Sequence, residues 1–167
     1  MPEAIQLEMR SGFGLATVAA RKGVTAQAVA RALNLPTAEG PRWTGGRALA
    51  LIGTGPGTWL ALSAGTPEAH AARLAEALGS LASVADQSGG YAIWKLSGPG
   101  ARSVLQRGAP VDLHAEAFGP GSVAVTAIAH IGAILRQLDE APTYEVAVFR
   151  SYAASFLHWL DAAIAAL

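Results

Sequence analysis

Gly53-Thr54-Gly55-Pro56-Gly57-Thr58 follows the apolar run 48–52 and opens as a dinucleotide-binding turn does, with G-x-G after a strand. That chemistry needs a third glycine and then a helix whose N-terminus receives the pyrophosphate. Thr58 stands in the third position and residues 59–62 continue as strand, so the segment predicts a hairpin turn. Ser97-Gly98-Pro99-Gly100 does precede a helical pattern and could receive an anion, but no lysine of the phosphate-loop kind follows it. His70, His114, His130 and His158 have no ligand-type neighbour three or four residues away, so any metal site would need long-range assembly. No serine sits in a G-x-S-x-G elbow; Ser63, Ser88 and Ser97 each read as turn residues. Asp86 ends a strand before Gln87-Ser88-Gly89-Gly90, where bonding to turn amides outweighs acid–base work, and Asp112 reads the same way. The expectation is no catalytic residue and no metal ligand.

Helical spacing and end signals predict four helices to position these residues. The first covers 25–33, with Ala26, Val29, Ala30 and Leu33 on one face. The second starts with Thr66 as cap and Pro67 at its first position, and ends at Gly79. The third follows Pro99 and carries Ala101, Val104 and Leu105 on one stripe, with Gly108 as its left-handed cap. The fourth runs from Ser151 to the C-terminus, with Phe156, Leu157, Leu160 and Ile164 at helical spacing. Strands are predicted at 13–20, 48–52, 59–62, 83–86, 91–96, 123–129, 131–138 and 144–149. The irregular alternation points to an α+β fold, a layered antiparallel or mixed sheet with split β-α-β units. One domain spans 1–167, with two lobes at about 1–80 and 81–167. The Pro-, Gly- and Thr-rich segment 34–47 reads as a surface loop and as the best internal boundary. Gly-Pro-Gly follows both the 48–52 and the 91–96 strands, which hints at a duplicated strand–turn unit.

Twelve basic residues balance twelve acidic ones, so no long-range field favours nucleic acid or an anionic membrane. Charged residues make up 14% of the chain, against about 25% in ordinary soluble domains. Either the alanine content dilutes everything else, or much of the surface lies against other chains. The outward face of the last helix carries one formal charge and Trp159, which suggests a second packing surface; a terminal helix packed tightly into its own domain is the alternative. The absence of cysteine excludes disulfides and thiolate chemistry. With Glu3 and Glu8 near the start, and the most apolar stretch (123–135) broken by Thr126, His130 and Gly132, neither a signal peptide nor a membrane span is expected. A cytoplasmic location is the default.

The unit Tyr91-Ala-Ile-Trp-Lys-Leu-Ser-Gly-Pro-Gly-Ala-Arg-Ser-Val-Leu-Gln-Arg-Gly-Ala-Pro-Val-Asp-Leu113 resembles the central segment of the gamma subunit of heterotetrameric sarcosine oxidase. Val18-Ala19-Ala20-Arg21-Lys22-Gly23, Gly57-Thr58-Trp59-Leu60, Val84-Ala85-Asp86-Gln87-Ser88 and Val148-Phe149-Arg150-Ser151-Tyr152-Ala153 extend the likeness in order and spacing. Gly89-Gly90 replaces the basic or histidine positions expected there, and acidic residues common near Trp59 are absent. The resemblance implies a reduced form of the folate-binding fold of glycine-cleavage aminomethyltransferases. It also implies a non-catalytic subunit beside alpha, beta and delta subunits that hold FAD, FMN, NAD and tetrahydrofolate. The complex would oxidise sarcosine to glycine, passing the one-carbon unit to tetrahydrofolate and producing hydrogen peroxide. Arg21, Lys22, Trp59, Arg102, Arg150, Tyr152 and Trp159 are the expected partner contacts. The alternative is a free-standing folate or one-carbon binding protein in which Asp86 engages the pterin.

Overall fold

A computed structural model describes residues 4–65 and 67–167. Thr66, the expected cap of the second helix, and Glu3 lie outside the described residues. In chain order the elements are β1 Gln6–Met9, β2 Phe13–Ala20, α1 Ala26–Ala32, β3 Trp43–Gly45, β4 Ala50–Gly55, β5 Thr58–Ala64, α2 Pro67–Leu78, β6 Ala82–Asp86, β7 Tyr91–Ser97, α3 Ala101–Gln106, β8 Val123–Ile128, β9 Ile131–Asp139, β10 Thr143–Phe149 and α4 Ala153–Ala165. Each expected helix and strand forms, with ends shifted by up to three residues. Thr25 caps α1 as its sequence position requires, its hydroxyl accepting the Ala28 N–H at 3.1 Å. β1 and β3 add to the expected set. They are short strands at sheet edges, four and three residues long, and neither holds enough alternation to signal itself.

The strands form two five-stranded antiparallel sheets, ordered β1-β7-β10-β9-β8 and β3-β4-β5-β2-β6. Two compact units result, one of residues Ser11–Gly89 and one of the N-terminal residues through Arg10 together with Gly90–Leu167. The segment 34–47 therefore lies inside the first unit. The units repeat one topology. In the first, β2-α1-β3-β4-β5-α2-β6 builds the order β3-β4-β5-β2-β6. In the second, β7-α3-β8-β9-β10-α4 builds β8-β9-β10-β7, and the closing place beside β7 is taken by β1 from the N-terminus. The duplication is real, but its register differs from the one the Gly-Pro-Gly tripeptides suggest. β7 corresponds to β2 and β4 to β9, because one tripeptide closes a hairpin and the other joins a strand to a helix.

Each sheet buries alternate side chains under its helices. Ala16, Val18, Leu51, Trp59 and Ala61 meet Val29, Leu74 and Leu78 in the 11–89 unit. Trp94, Leu96, Leu135, Tyr144, Val146 and Val148 meet Val104, Leu105, Phe156 and Leu160 in the other. Leu15, Ile52, Leu60 and Leu62, at the opposite strand positions of the 11–89 sheet, are buried too. Burial of both sets explains why these strands read as nearly continuous apolar runs.

The second sheet carries charge where the first carries aliphatics. Glu8 of β1 faces Lys95 of β7, Lys95 faces Glu145 of β10, and Glu145 faces Arg136 of β9. Opposite charges at facing positions stabilise the pairing and fix its register. The Glu145 carboxylate accepts hydrogen bonds from Arg10 Nη1 at 2.7 Å and from Arg136 Nε at 2.9 Å, with Arg136 Nη2 as a third donor. Glu145 and Arg136 are both buried. Burial pulls the Arg136 guanidinium below its ordinary pKa, and the Glu145 charge opposes that shift. Removing the Glu145 charge leaves a buried cation opposite a neutral group. Glu145→Gln is expected to destabilise the fold by about 3 kcal/mol, read as a lower midpoint in urea; an unchanged midpoint would show that the carboxylate holds nothing.

Candidate docking surface

His70 and Asp86, two of the residues that could do chemistry, are hydrogen-bonded within the fold. His70 projects from α2 and is buried, its Nε2 2.8 Å from the Ala61 carbonyl and its Nδ1 3.0 Å from Ser63 Oγ. The carbonyl can only accept, so Nε2 carries a proton, and in the neutral ring Nδ1 accepts the Ser63 hydroxyl hydrogen. The serine and histidine thus lock β5 to α2. Asp86 is exposed at the end of β6 and accepts from Ser88 N–H at 3.0 Å and Ser88 O–H at 2.7 Å. These two bonds, the backbone one first, hold its carboxyl below the usual value. Ser88 Oγ in turn accepts the Leu15 N–H at 3.0 Å, so the pair ties the end of β6 to β2. Such a carboxylate is a turn device, and its low pKa suits neither a general acid nor a base near neutral pH. The Ser97–Gly100 turn holds no open anion cradle: a Cβ at Gly98 would lie 2.2 Å from the Ala4 carbonyl oxygen, so the chain itself occupies that side. Among the described residues no cluster of three metal-type ligands occurs.

The unit containing residues 90–167 instead offers a surface groove of about 800 Å³, lined by Arg107, Pro110, His130, Ile131, Tyr152 and Trp159 among others. Its floor is built by a close approach. A Cβ at Gly108 would fall 2.5 Å from Trp159 Cζ2, so glycine is required there to admit the indole. Gly108 does not take the left-handed cap conformation expected from its place after α3. Its carbonyl accepts the Ala129 N–H at 3.1 Å, fixing the two-residue β8–β9 turn in which Ala129 and His130 have φ of 50° and 66°. From Trp159 an aromatic chain runs inward through Phe156 to Trp94, with centroid separations of 5.7 and 5.2 Å. The Arg107 guanidinium donates to the Ala166 carbonyl at 2.8 Å and ties the end of α4 to the rim.

The expected contact residues divide. Tyr152, 51% exposed, and Trp159 line the groove together. Arg150 is exposed beside them in sequence and donates to the Tyr91 carbonyl at 3.0 Å. Arg21 and Lys22 are exposed in the β2–α1 turn of the other unit. Arg102 is half-buried and its Nε meets the hydroxyl of the core residue Tyr144 at 3.1 Å, so part of its donor capacity serves its own core. Trp59 is corrected: it is 3% exposed, and its indole N–H donates to the Ala38 carbonyl at 2.8 Å, which makes it a core residue with no surface to offer a partner. Sequence reading misses several exposed groups that the fold gathers. Among the described residues the exposed large apolar side chains are Met9, Val125, Phe149, Tyr152 and Leu167, and all belong to the unit containing 90–167. Phe149 covers the ring of Tyr91 at 4.9 Å, and burial raises the Tyr91 phenol pKa. The signal for Phe149 and Val125 was their strand position, opposite in parity to the core residues Val148 and Ile128.

Residues 16–166 match the family model for the sarcosine oxidase, gamma subunit family. The chain is 32% identical over 156 residues to sarcosine oxidase subunit gamma of Corynebacterium sp. (strain P-1), covering 93% of this chain and 76% of that protein. It is also 32% identical over 159 residues to the Arthrobacter sp. subunit gamma, with the same shares covered. Among solved structures it is similar to a chain of the heterotetrameric sarcosine oxidase from Corynebacterium sp. U-96 in complex with pyrrole 2-carboxylate. That match has a TM-score of 0.87 and 28% identity, and covers 99% of this chain and 86% of that one. Aminomethyltransferase T of the Bartonella henselae glycine cleavage system shares the fold, with a TM-score of 0.64 at 18% identity over 93% of this chain and 45% of that one.

The Asp86 arrangement has a defined pH signature. A carboxyl whose folded pKa lies below its ordinary 3.8 adds stability above that value and loses it as pH falls through the folded value. Asp86→Asn is therefore expected to lower the neutral plateau of a melting-temperature profile slightly and to flatten its acid limb, the two profiles converging below about pH 4. An acid limb identical to that of the unaltered chain would remove the assignment.

Proposed function

The chain belongs to the sarcosine oxidase, gamma subunit family, and from that premise we propose that it is the gamma subunit of a heterotetrameric sarcosine oxidase and contributes no reacting group. Alpha, beta and delta subunits would surround it in the cytoplasm, and its 167 residues would act as one gamma-like domain of two lobes. FAD, FMN, NAD and tetrahydrofolate belong to those partners in this reading. There they supply the oxidation of sarcosine to glycine, the one-carbon transfer and the formation of hydrogen peroxide. The observation that carries the reading is the family match along almost the whole chain. Two physical features agree with it. His70, Ser63, Asp86 and Ser88 are engaged in internal hydrogen bonds, and the chain is poor in charge, with the exposed large apolar groups among the described residues all on one unit. A surface of that kind gives weak colloidal protection to a free monomer and suits burial against other chains.

The groove beside Tyr152 and Trp159 is the proposed partner contact, with Arg150 at its edge. Exposed aromatic groups seated in a pocket are the residues that dominate association energies. Arg21 and Lys22 are proposed as a separate, peripheral contact from the 11–89 unit. The fit of a pterin at Asp86 is poor, because its carboxylate is committed to Ser88 and lies in an exposed turn. Tagged chain recovered from its own organism is expected to bring down flavin-containing subunits in fixed proportion, and Tyr152→Ala to weaken that assembly by about tenfold or more without altering the melting temperature. Recovery of a free monomer, together with saturable micromolar binding of tetrahydrofolate by the isolated chain, would overturn this reading in favour of a free-standing folate binder.

A further inference from the structure

The four sheet edges are not guarded alike. Edge strands invite pairing by another chain unless they are short, charged, bulged or covered. β3 is three residues long. β1 is four residues long and carries Glu8. β6 ends in Asp86, whose carboxylate closes its own turn. β8 is the longest of the four at six residues, Val-Ala-Val-Thr-Ala-Ile, with no charge and no proline, and its register with β9 is unbroken from Val123↔Arg136 to Ile128↔Ile131.

The backbone of β8 can be assigned residue by residue. Gln137 N–H bonds to the Ser122 carbonyl at 3.1 Å just before the strand, and a two-residue turn closes its far end at Ile128↔Ile131. Antiparallel pairs alternate between bonded and non-bonded, so Ala124, Thr126 and Ile128 bond to β9. Val125 and Ala127 turn their N–H and C=O outward. Val125 is 59% exposed and Ala127 is exposed. β8 ends its sheet and pairs with β9 alone, so no strand among the described residues lies along its outward side. Val125 lies directly opposite Ile134, so a strand laid along β8 would meet an aliphatic pair at that position, and β8 itself carries no charge. Ala127 also lines the groove with Tyr152, Ser155 and Trp159, which makes edge and groove one continuous surface.

We propose that an extended, uncharged segment of another subunit adds as a sixth strand along Val123–Ile128, bonding through the main chain of Val125 and Ala127, and continues into the Trp159 groove. Strand addition of this kind draws affinity from main-chain bonds and selectivity from alternate side chains. The inference rests on the gamma-subunit reading, which supplies a partner chain and assigns the adjoining groove to it.

The test compares amide exchange in the free chain and in the complex purified from its own organism, and titrates variants against the remaining subunits. Val125 and Ala127 amides are expected to exchange at least about tenfold more slowly in the complex, with Ala124 and Thr126 protected in both states. Ala127→Pro removes an outward donor and Val125→Lys places a charge at the edge. Each should weaken assembly about tenfold or more with unchanged melting temperature, while Ser80→Lys, exposed on the other unit, has no effect. A complex that forms normally with both variants, and leaves these amides as open as in the free chain, overturns the proposal and leaves the gamma-subunit reading standing. Protection already present in a self-associated free chain, lost on Val125→Lys while the complex still assembles, assigns the edge to a second copy and also overturns it. Failure of the unaltered chain to assemble with any partner removes the gamma-subunit reading itself and this inference with it.

Discussion

The Glu145 carboxylate, held between the guanidinium groups of Arg10 and Arg136, closes the unit containing residues 90–167. That unit repeats the strand and helix order of residues 11–89 but lacks its last strand in sequence, and the N-terminal strand fills the place. Four residues of β1 offer few ladder bonds, and loop closure over more than eighty residues costs entropy before any contact is made. A charge-assisted pair from Arg10 to Glu145, out of bulk water, adds a strong directional tie at the point where the strand ends. The facing row of Glu8, Lys95, Glu145 and Arg136 then rejects a slip of one residue, because a slip would turn every charge to the other face.

Repetition of the topology did not preserve the surface. In the 11–89 unit the outlying apolar residues are folded inward, Trp59 among them, and its histidine and serine are hydrogen-bonded to each other. The other unit keeps Tyr152, Phe149 and Val125 exposed and opens a groove floored by Trp159 against Gly108. The exposed large apolar side chains among the described residues thus lie on one half only. A chain with no net charge and few charged residues can carry such a surface safely when a partner covers it.

Most elements were legible because each carried a local signal. Thr25 and Pro67 mark helix starts, alternation marks β2 and β7, and the order of short motifs marked the family. Gly108 was misread as a helix cap, since nothing local distinguishes a glycine needed for φ from one needed to admit an indole fifty-one positions away. Trp59 was misplaced for a similar reason. A tryptophan at a strand start looks the same whether its N–H reaches solvent or the carbonyl of Ala38, and only the fold of the 34–47 segment brings that carbonyl within 2.8 Å. The duplication was sensed through Gly-Pro-Gly but aligned wrongly, because tripeptides report turns and not the order of strands in a sheet.

The residue sequence by itself determined the α+β class, the positions of the helices and longer strands, the absence of a local catalytic motif and the family. These follow from short-range steric and hydrogen-bonding preferences and from hydrophobic periodicity, which act within a few residues. Only the tertiary structure decided that β1 completes the sheet of the far half, that Glu145 joins two arginines, and which apolar side chains remain outside. Those outcomes depend on strand order and register, which are set by contacts between residues distant along the chain and leave no mark in any one segment.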